Sequence, residues 1–361
     1  MSTLTSTAPI RGARPRRWIG TALLVALALY LPFLLTERAI FGIPLSNMQL
    51  LNLGLTQINL MIIAMLGALS LNYLTGCAGL ISIGHAAFYA TGAMAAAITG
   101  TQLGWPFPLV LLASAALGAV VGVLAGLPSL RVRGLYFVLS TMAVHYLVVY
   151  VFLEYQLKFF DVVGVPYPVA SLLGWEINTP MRWYAVLLPI LVLVYLGLRS
   201  SLRTREGRAM MAMRDHELAA SSVGVDVRWL RLKAFGLSSA LAALAGALYA
   251  YQLSNVNSET FNISFAIQFI AMIIVGGMGS LPGALVGAAL WLLLPSVIAG
   301  LAGQVTDASG VVKLLLVDNR AQLVQLIFAL LVIVLLIFAP GGLVSLGRRL
   351  RERFARTGAR A

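Results

Sequence analysis

The sequence predicts an all-α, polytopic membrane protein of about ten transmembrane helices, and three observations predict it. Of 361 residues, 60% are hydrophobic and 10% charged, more apolar surface than a water-soluble domain has polar residues to cover. Apolar runs long enough to cross a bilayer recur along the chain between short polar segments. The basic residues gather in a few of those segments and avoid the runs, as charges that set topology do.

Taken in order, the runs fall at 18–35, 53–74, 80–99, 107–127 and 134–153, then at 183–198, 232–253, 265–278, 283–300 and 321–339. The first follows Arg11, Arg14, Arg16 and Arg17, a pattern shared with secretory signals, but no small-residue cleavage site follows it and it reads as a span. The runs 183–198 and 265–278 are short for a crossing. Residues 1–17 make a basic cytoplasmic N-terminus, 18–347 the transmembrane domain with a long basic loop at 199–233, and 348–361 a basic cytoplasmic tail. With both termini inside, 20 of the 25 Lys and Arg residues lie on the cytoplasmic face of this path, the bias of the positive-inside rule. The same path relates helices 2–5 and 7–10 as inverted repeats, with a glycine-broken helix in each half, at 76–92 and 276–287.

Composition also excludes function classes. The net charge of +13 is clustered between apolar runs, so nucleic acid is not a partner and the lipid bilayer is. Cys77 is the only cysteine, which removes an intramolecular disulfide, a Cys-based zinc site and an iron–sulfur cluster. All 12 Asp and Glu residues fall outside the runs, against an ion-coupled carrier, which buries a carboxylate on its path. There is no GxxxxGK[ST] loop, no HExxH and no nucleophile elbow, so the chain neither hydrolyses ATP itself nor reads as an enzyme, and it calls for no cofactor of its own.

Four stretches carry the remaining information. In GLISIGHAAFYATGAMAAA, 79–97, Gly79, Gly84 and Gly92 punctuate small residues; they permit either close helix packing or an unwound segment facing a solute. His85, beside Ser82 and Phe88, reads as an interhelical hydrogen-bond partner rather than a proton relay, and His145 likewise. In RVRGLYFVLSTMAVHY, 131–146, the Tyr136 and Phe137 pair follows two anchoring arginines and suits an interfacial belt, or the lining of an inner gate. The basic loop contains a helix over 206–223, stopped by Gly224, with Met210, Met213, Glu217 and Ala220 on one face; that face fits a partner's groove or the lipid headgroups. In SFAIQFIAMIIVGGMGSLPGALVGAALW, 264–291, Gly276, Gly277 and Gly279 force two half-helices or a tight hairpin, tolerated in a membrane only inside protein or facing a cavity.

In this order the four stretches resemble the permease subunits of bacterial ATP-binding-cassette importers for branched-chain amino acids, the M-type partner. The likeness runs over 53–342: a GxxSxGHAAF segment from Gly79, an RxRGxYF segment over 131–137, a GRA…RDxExAA…G…AG segment over 207–250 and a GGxGxxxGxxxGA run over 276–288. The resemblance implies a permease in the bacterial inner membrane. Its partners would be a second, homologous permease, two cytoplasmic ATP-binding subunits that use the ATP, and a periplasmic substrate-binding protein. It places Arg208, Arg214, Glu217, Ala219, Ala220 and Gly224 in the loop that couples to the ATPase. It makes Gly79, Ser82, Gly84, His85, Phe88, Tyr136, Phe137, Gly276, Gly277 and Gly279 candidates for the translocation path or its gate. Glu217 precedes the paired alanines with Leu218 between, which departs from the broader importer pattern. The same machine carrying urea, short amides or another small polar solute is the alternative cargo, and an ATP-independent channel or ion-coupled carrier the alternative class.

Overall fold

A computed structural model of the chain describes residues 39–40, 43–44, 54–132, 134–160, 163–172, 174–304, 320–338 and 341–345. The run at 18–35 and both basic tails lie outside the described residues. The chain divides into two units, 1–49 and 50–361. In the first, β1 (Ala39–Ile40) pairs antiparallel with β2 (Ile43–Pro44).

The second unit is helical. Its elements are α1 (Leu55–Leu71), continued as a π-helical turn over Asn72–Cys77, α2 (Ala86–Ala96), α3 (Phe107–Gly126) and α4 (Leu135–Phe159). Next come α5 (Pro180–Ser201), α6 (Arg205–Asp215), α7 (Glu217–Ser222) and α8 (Val227–Leu253). The last are α9 (Ile263–Gly276), α10 (Leu281–Gln304) and α11 (Arg320–Phe338). Side-chain oxygens start four of them: Thr179, Thr204, Asp226 and Asn262 accept from Arg182, Gly207, Trp229 and Phe265 N–H respectively, satisfying donors that a helix N-terminus leaves open.

Among the described residues six helices are long and apolar enough to cross a membrane: α1 with its π turn, α3, α4, α5, α8 and α10; α9 and the 322–335 part of α11 are shorter apolar helices. The run expected to span at 80–99 is helical only from Ala86, because Gly79 at φ +74° and the bends after it keep 78–85 out of the helix. The run at 183–198, read as short, is a 22-residue helix; its apolar count stopped at Arg182 and Arg199, which an exposed helix end tolerates. For the same reason α4 runs on through Glu154 and Lys158, both exposed, and α8 starts before Arg228, Arg231 and Lys233. Neither carboxylates nor basic residues are therefore confined to loops.

The crossing segments of α1 and α8 are 78% and 72% buried while those of α3, α4, α5 and α10 are 28–39% buried, so α1 and α8 form the centre and the others leave Leu, Val and Tyr side chains exposed. The small residues point inward. Gly118, Gly122 and Gly126 of α3 lie against Ala243, Ser239 and Phe235 of α8, a four-residue spacing that stacks one helix face and brings two backbones together. Gly92 of α2 lies on the Ala243 carbonyl and Gly246 of α8 on the Tyr89 carbonyl, the reciprocal pair of an antiparallel crossing. Ser238 Oγ donates to Ser70 O at 2.7 Å and ties α8 to α1. At the far end β3 (Val165–Pro166) pairs with β6 (Asn255–Val256), and β4 (Ser171–Leu172) with β5 (Trp175–Glu176). Tyr167 donates its hydroxyl to Ala93 O at 3.0 Å from the loop there; burial holds this phenol above its ordinary pKa.

Candidate functional site

Two interruptions of the helical backbone dominate the unit. In the first, Asn72–Cys77 widens into a π turn, Gly79 adopts φ +74°, and Thr75 Oγ1 donates to Leu80 O at 3.1 Å to close the loop; π turns in α-helices recur at functional positions. In the second, Gly277 at φ +117° and Gly279 at φ +81° reverse the chain between α9 and α10, values that only glycine adopts without strain. Gly276 packs on Gly283 and Gly287, and Gly277 on Gly341 and Gly342, leaving no room for a side chain. α9 and α10 thus form a close hairpin, one of the two arrangements expected.

The two interruptions touch. Gly279 N–H donates to Asn72 Oδ1 at 2.8 Å across 207 residues of sequence, and Gly76 lies against Gly279 N. Arg214 of α6 enters the same junction: its Nη1 donates to Gly76 O, and a Cβ on Gly79 would stand 2.9 Å from its Cγ and one on Gly279 2.6 Å from its Nη1. Gly76, Gly79 and Gly279 are therefore held together by one asparagine and one arginine. Asn72 Nδ2 is buried there with no hydrogen-bond partner.

A second anchor holds the basic loop. Glu217, in the first turn of α7, pairs with Arg231 of α8 at 2.5 Å, and Arg231 also donates to Ser129 O at 2.7 Å. The pair borders a cavity of about 430 Å³ lined also by Gly79, Ile81, Gly134 and Phe137. Phe137 is buried edge-on to Phe235 at 5.6 Å, whereas its neighbour Tyr136 is 75% exposed; one residue of helical rotation separates a wall of the cavity from an exposed ring.

The single helix expected over 206–223 is two. His216 is extended (φ −156°, ψ 99°) and divides α6 from α7, and Gly224 at φ +84° ends α7 in open space. The apolar face read as free for a partner is covered by this chain: Met210, Met213 and Ala220 are 2–4% exposed and Glu217 is engaged by Arg231. Leu218 and Val223, 68% and 79% exposed, project instead, with Ala219 also exposed. Arg208 is exposed and donates to Arg203 O at 2.8 Å.

Ser82, Gly84, His85 and Phe88 are buried inside the helix cluster. Gly84 lies on the Thr141 carbonyl of α4. Ser70 Oγ lies 2.7 Å from Gly67 O and 2.8 Å from His85 Nε2, linking the ring to α1; the ring stands edge-on to Phe88 at 5.6 Å. The Oγ of Ser82 and the Nδ1 of His85 and of His145 are buried without partners. A smaller cavity of about 170 Å³ lies between α1, α2, α8, α9 and α10, walled by Tyr89, Tyr249, Phe265, Phe269 and Trp291 with Gln268 as a polar group. Among the described residues no three His, Cys, Asp or Glu side chains converge as a metal site requires.

Reading the sequence alone missed Asn72, Ser70, Ser129 and Arg231. Asn72 had a signal, a carboxamide inside an apolar run, and so did the Gly118, Gly122, Gly126 spacing. Ser129 acts through its backbone carbonyl, for which side-chain chemistry gives none.

The profile of the branched-chain amino acid transport system permease component matches residues 54–338. The chain is 31% identical over 248 residues to the high-affinity branched-chain amino acid transport system permease protein LivM of Escherichia coli K12, covering 61% of this chain and 57% of that protein. It is 25% identical over 241 residues to a probable branched-chain amino acid transport permease protein LivM of Methanocaldococcus jannaschii, 65% and 67% of the two. It is 28% identical over 198 residues to the inner membrane ABC transporter permease protein YjfF of E. coli, 53% and 58%. The match thus spans little more than half the length of the E. coli relatives.

Proposed function

Because the chain belongs to the family of branched-chain amino acid transport system permease components, we propose that it is the membrane-spanning permease subunit of an ATP-driven importer carrying branched-chain amino acids from periplasm to cytoplasm. It sits in the inner membrane as about ten helices in two inverted halves, 2–5 and 7–10, with both termini and the basic loop cytoplasmic. It works with a second permease, two ATP-binding subunits that supply the energy, and a periplasmic binding protein that delivers the solute. The domain plan is that of the charge pattern: a basic tail at 1–17, the permease body at 18–347 and a second basic tail at 348–361.

The observation that carries the reading is the junction at Arg214, where the basic loop grips both glycine-broken segments at once. A permease driven from outside the membrane needs such a connection, since force on the loop must reach the backbone that opens and closes. In this mechanism closure of the ATPase dimer moves the segment 214–224, the two halves rock, and access alternates. Leu218 and Val223 supply the apolar contact with the ATPase, an amphipathic helix turn entering a groove. Glu217 acts from behind, holding α7 on α8 through Arg231, with Arg208, Ala219, Ala220 and Gly224 shaping the loop. The solute passes beside Gly79, Ser82, His85, Phe88 and Phe137, with Gly84 and Gly276, Gly277 and Gly279 allowing the backbone to shift and Tyr136 marking the membrane boundary.

Uptake of radiolabelled leucine in cells lacking this chain, competed by unlabelled isoleucine, valine, urea and acetamide, tests the reading. Loss of leucine uptake of the kind isoleucine and valine compete for supports it. Unchanged leucine uptake with lost urea or amide uptake replaces the cargo and keeps the machine; no change in any uptake overturns the transport role.

A further inference from the structure

We propose that Arg214 is the positioning residue that makes the two helix breaks move as one unit with the basic loop, so that its side chain, rather than the loop's docking surface, carries the nucleotide signal into the membrane. The inference rests on the permease reading and assigns a component within it.

Three observations converge on this side chain. Its Nη1 donates to Gly76 O, a carbonyl in the π turn, 138 residues away in sequence. Its aliphatic stem lies on Gly79 and its guanidinium on Gly279, both at positive φ where a side chain would also collide with it. The third is Asn72, whose Oδ1 holds Gly279 N–H while its Nδ2 is buried without a partner. The body around the junction is closely packed, with glycine backbones in contact, so motion there is a switch between packings rather than a gradual bend.

α6 is the element that can deliver the displacement. It is separated from α7 by the extended His216, and α7 is held to α8 by the Glu217–Arg231 pair. α6 is tied to α8 as well, by Lys233 Nζ donating to Glu206 Oε1 at 2.5 Å, but of the two loop helices it is α6 that also grips the breaks, through Arg214. A push that moves α6 relative to α7 reaches Gly76 and Gly279 through Arg214, which touches both.

Cys77, the chain's only cysteine, sits next to Gly76 and is buried, so it reports on the first break without added label sites. In the complex assembled with its permease and ATPase partners, the rate of Cys77 modification by N-ethylmaleimide is compared in the nucleotide-free and ATP–vanadate states, read on this chain by mass. The wild type is expected to differ between the states. Arg214→Met keeps the stem on Gly79 and removes the donor; its difference between states is expected to shrink roughly 2- to 30-fold, with a matching fall in solute moved per ATP hydrolysed, while the ATPase stays bound. Arg214→Lys, which keeps a cation able to reach Gly76 O, restores part of the response. Gly79→Ala perturbs the same grip from the opposite side and is expected to reduce the response even if Arg214→Met fails to assemble. A wild-type response with Arg214→Met and Gly79→Ala responding equally overturns the inference and leaves the permease reading intact. A wild type indifferent to nucleotide also overturns the inference, while the permease reading stands or falls on the uptake measurement.

Discussion

Replacing Gly92 by alanine tests whether the α2–α8 crossing is a backbone-to-backbone contact. A Cβ on Gly92 would fall on the Ala243 carbonyl, far inside the 3.0 Å that real Cβ atoms keep, and one on Gly246 would fall on the Tyr89 carbonyl in the same way. The obstacles are main-chain oxygens in the interior of helices, which cannot turn aside, so the helices must separate. Forcing a methyl group into such packing costs ~1–3 kcal/mol, against a helix-propensity gain of about 1 kcal/mol for Gly→Ala; overlap this severe puts the clash at the upper end, leaving a net loss of about 2 kcal/mol. One separation relieves both collisions. The Gly92→Ala/Gly246→Ala double variant should therefore lose clearly less than the two single variants combined, the signature of coupled sites. Gly197, with nothing within 4 Å of its Cβ position, is the control, and Gly197→Ala should be neutral or stabilising. The assay is thermal unfolding of detergent-purified protein followed by a thiol-reactive dye, because Cys77 is buried until the bundle opens. Gly92→Ala melting with Gly197→Ala, or strict additivity in the double variant, would refute the close crossing.

Three further outcomes are expected. Leu218→Asp and Val223→Asp should abolish co-purification of the ATPase while leaving the unfolding midpoint unchanged, since both side chains face solvent, whereas Ala220→Arg, at a buried position, should lower the midpoint. Arg231→Met should cost about 1–3 kcal/mol by removing the bond to Ser129 O and the ion pair with Glu217, the ion-pair share being reduced because Glu217 is partly exposed; the same melting assay reads the loss. Tyr167 binds its proton more tightly folded than unfolded, so its contribution is complete below about pH 10, the unfolded value, and is lost as pH rises beyond it. Tyr167→Phe should lower the midpoint at pH 7 by removing the bond to Ala93 O and flatten its decline in an alkaline titration.

Much of the fold was legible because the bilayer enforces a simple rule: a span must be apolar and helical, so runs of hydrophobic residues announce themselves. The interruptions were equally legible at Gly79 and at Gly277 and Gly279, where positive φ makes glycine obligatory. Boundaries were less so. The apolar count stopped at Arg182, Arg199 and Glu154, though hydrogen bonding of the backbone carries α5 and α4 past all three. The loop's helix was legible as a helix, while its break at His216 was not, because no proline or glycine marks it.

What the sequence determined by itself was therefore local: apolar or polar, helical or interrupted, basic or neutral. It assigned an apolar face to Met210, Met213 and Ala220 but not what covers that face, since periodicity records that a side is buried and not against which surface. Only the tertiary structure decided that this face turns inward and that Leu218 and Val223 face out. It also decided that two breaks 207 residues apart share Asn72, and that Arg214 reaches across 138 residues to hold them. Those contacts depend on backbone atoms brought together by packing, and a carbonyl or an N–H looks the same at every position of the chain until the fold places it.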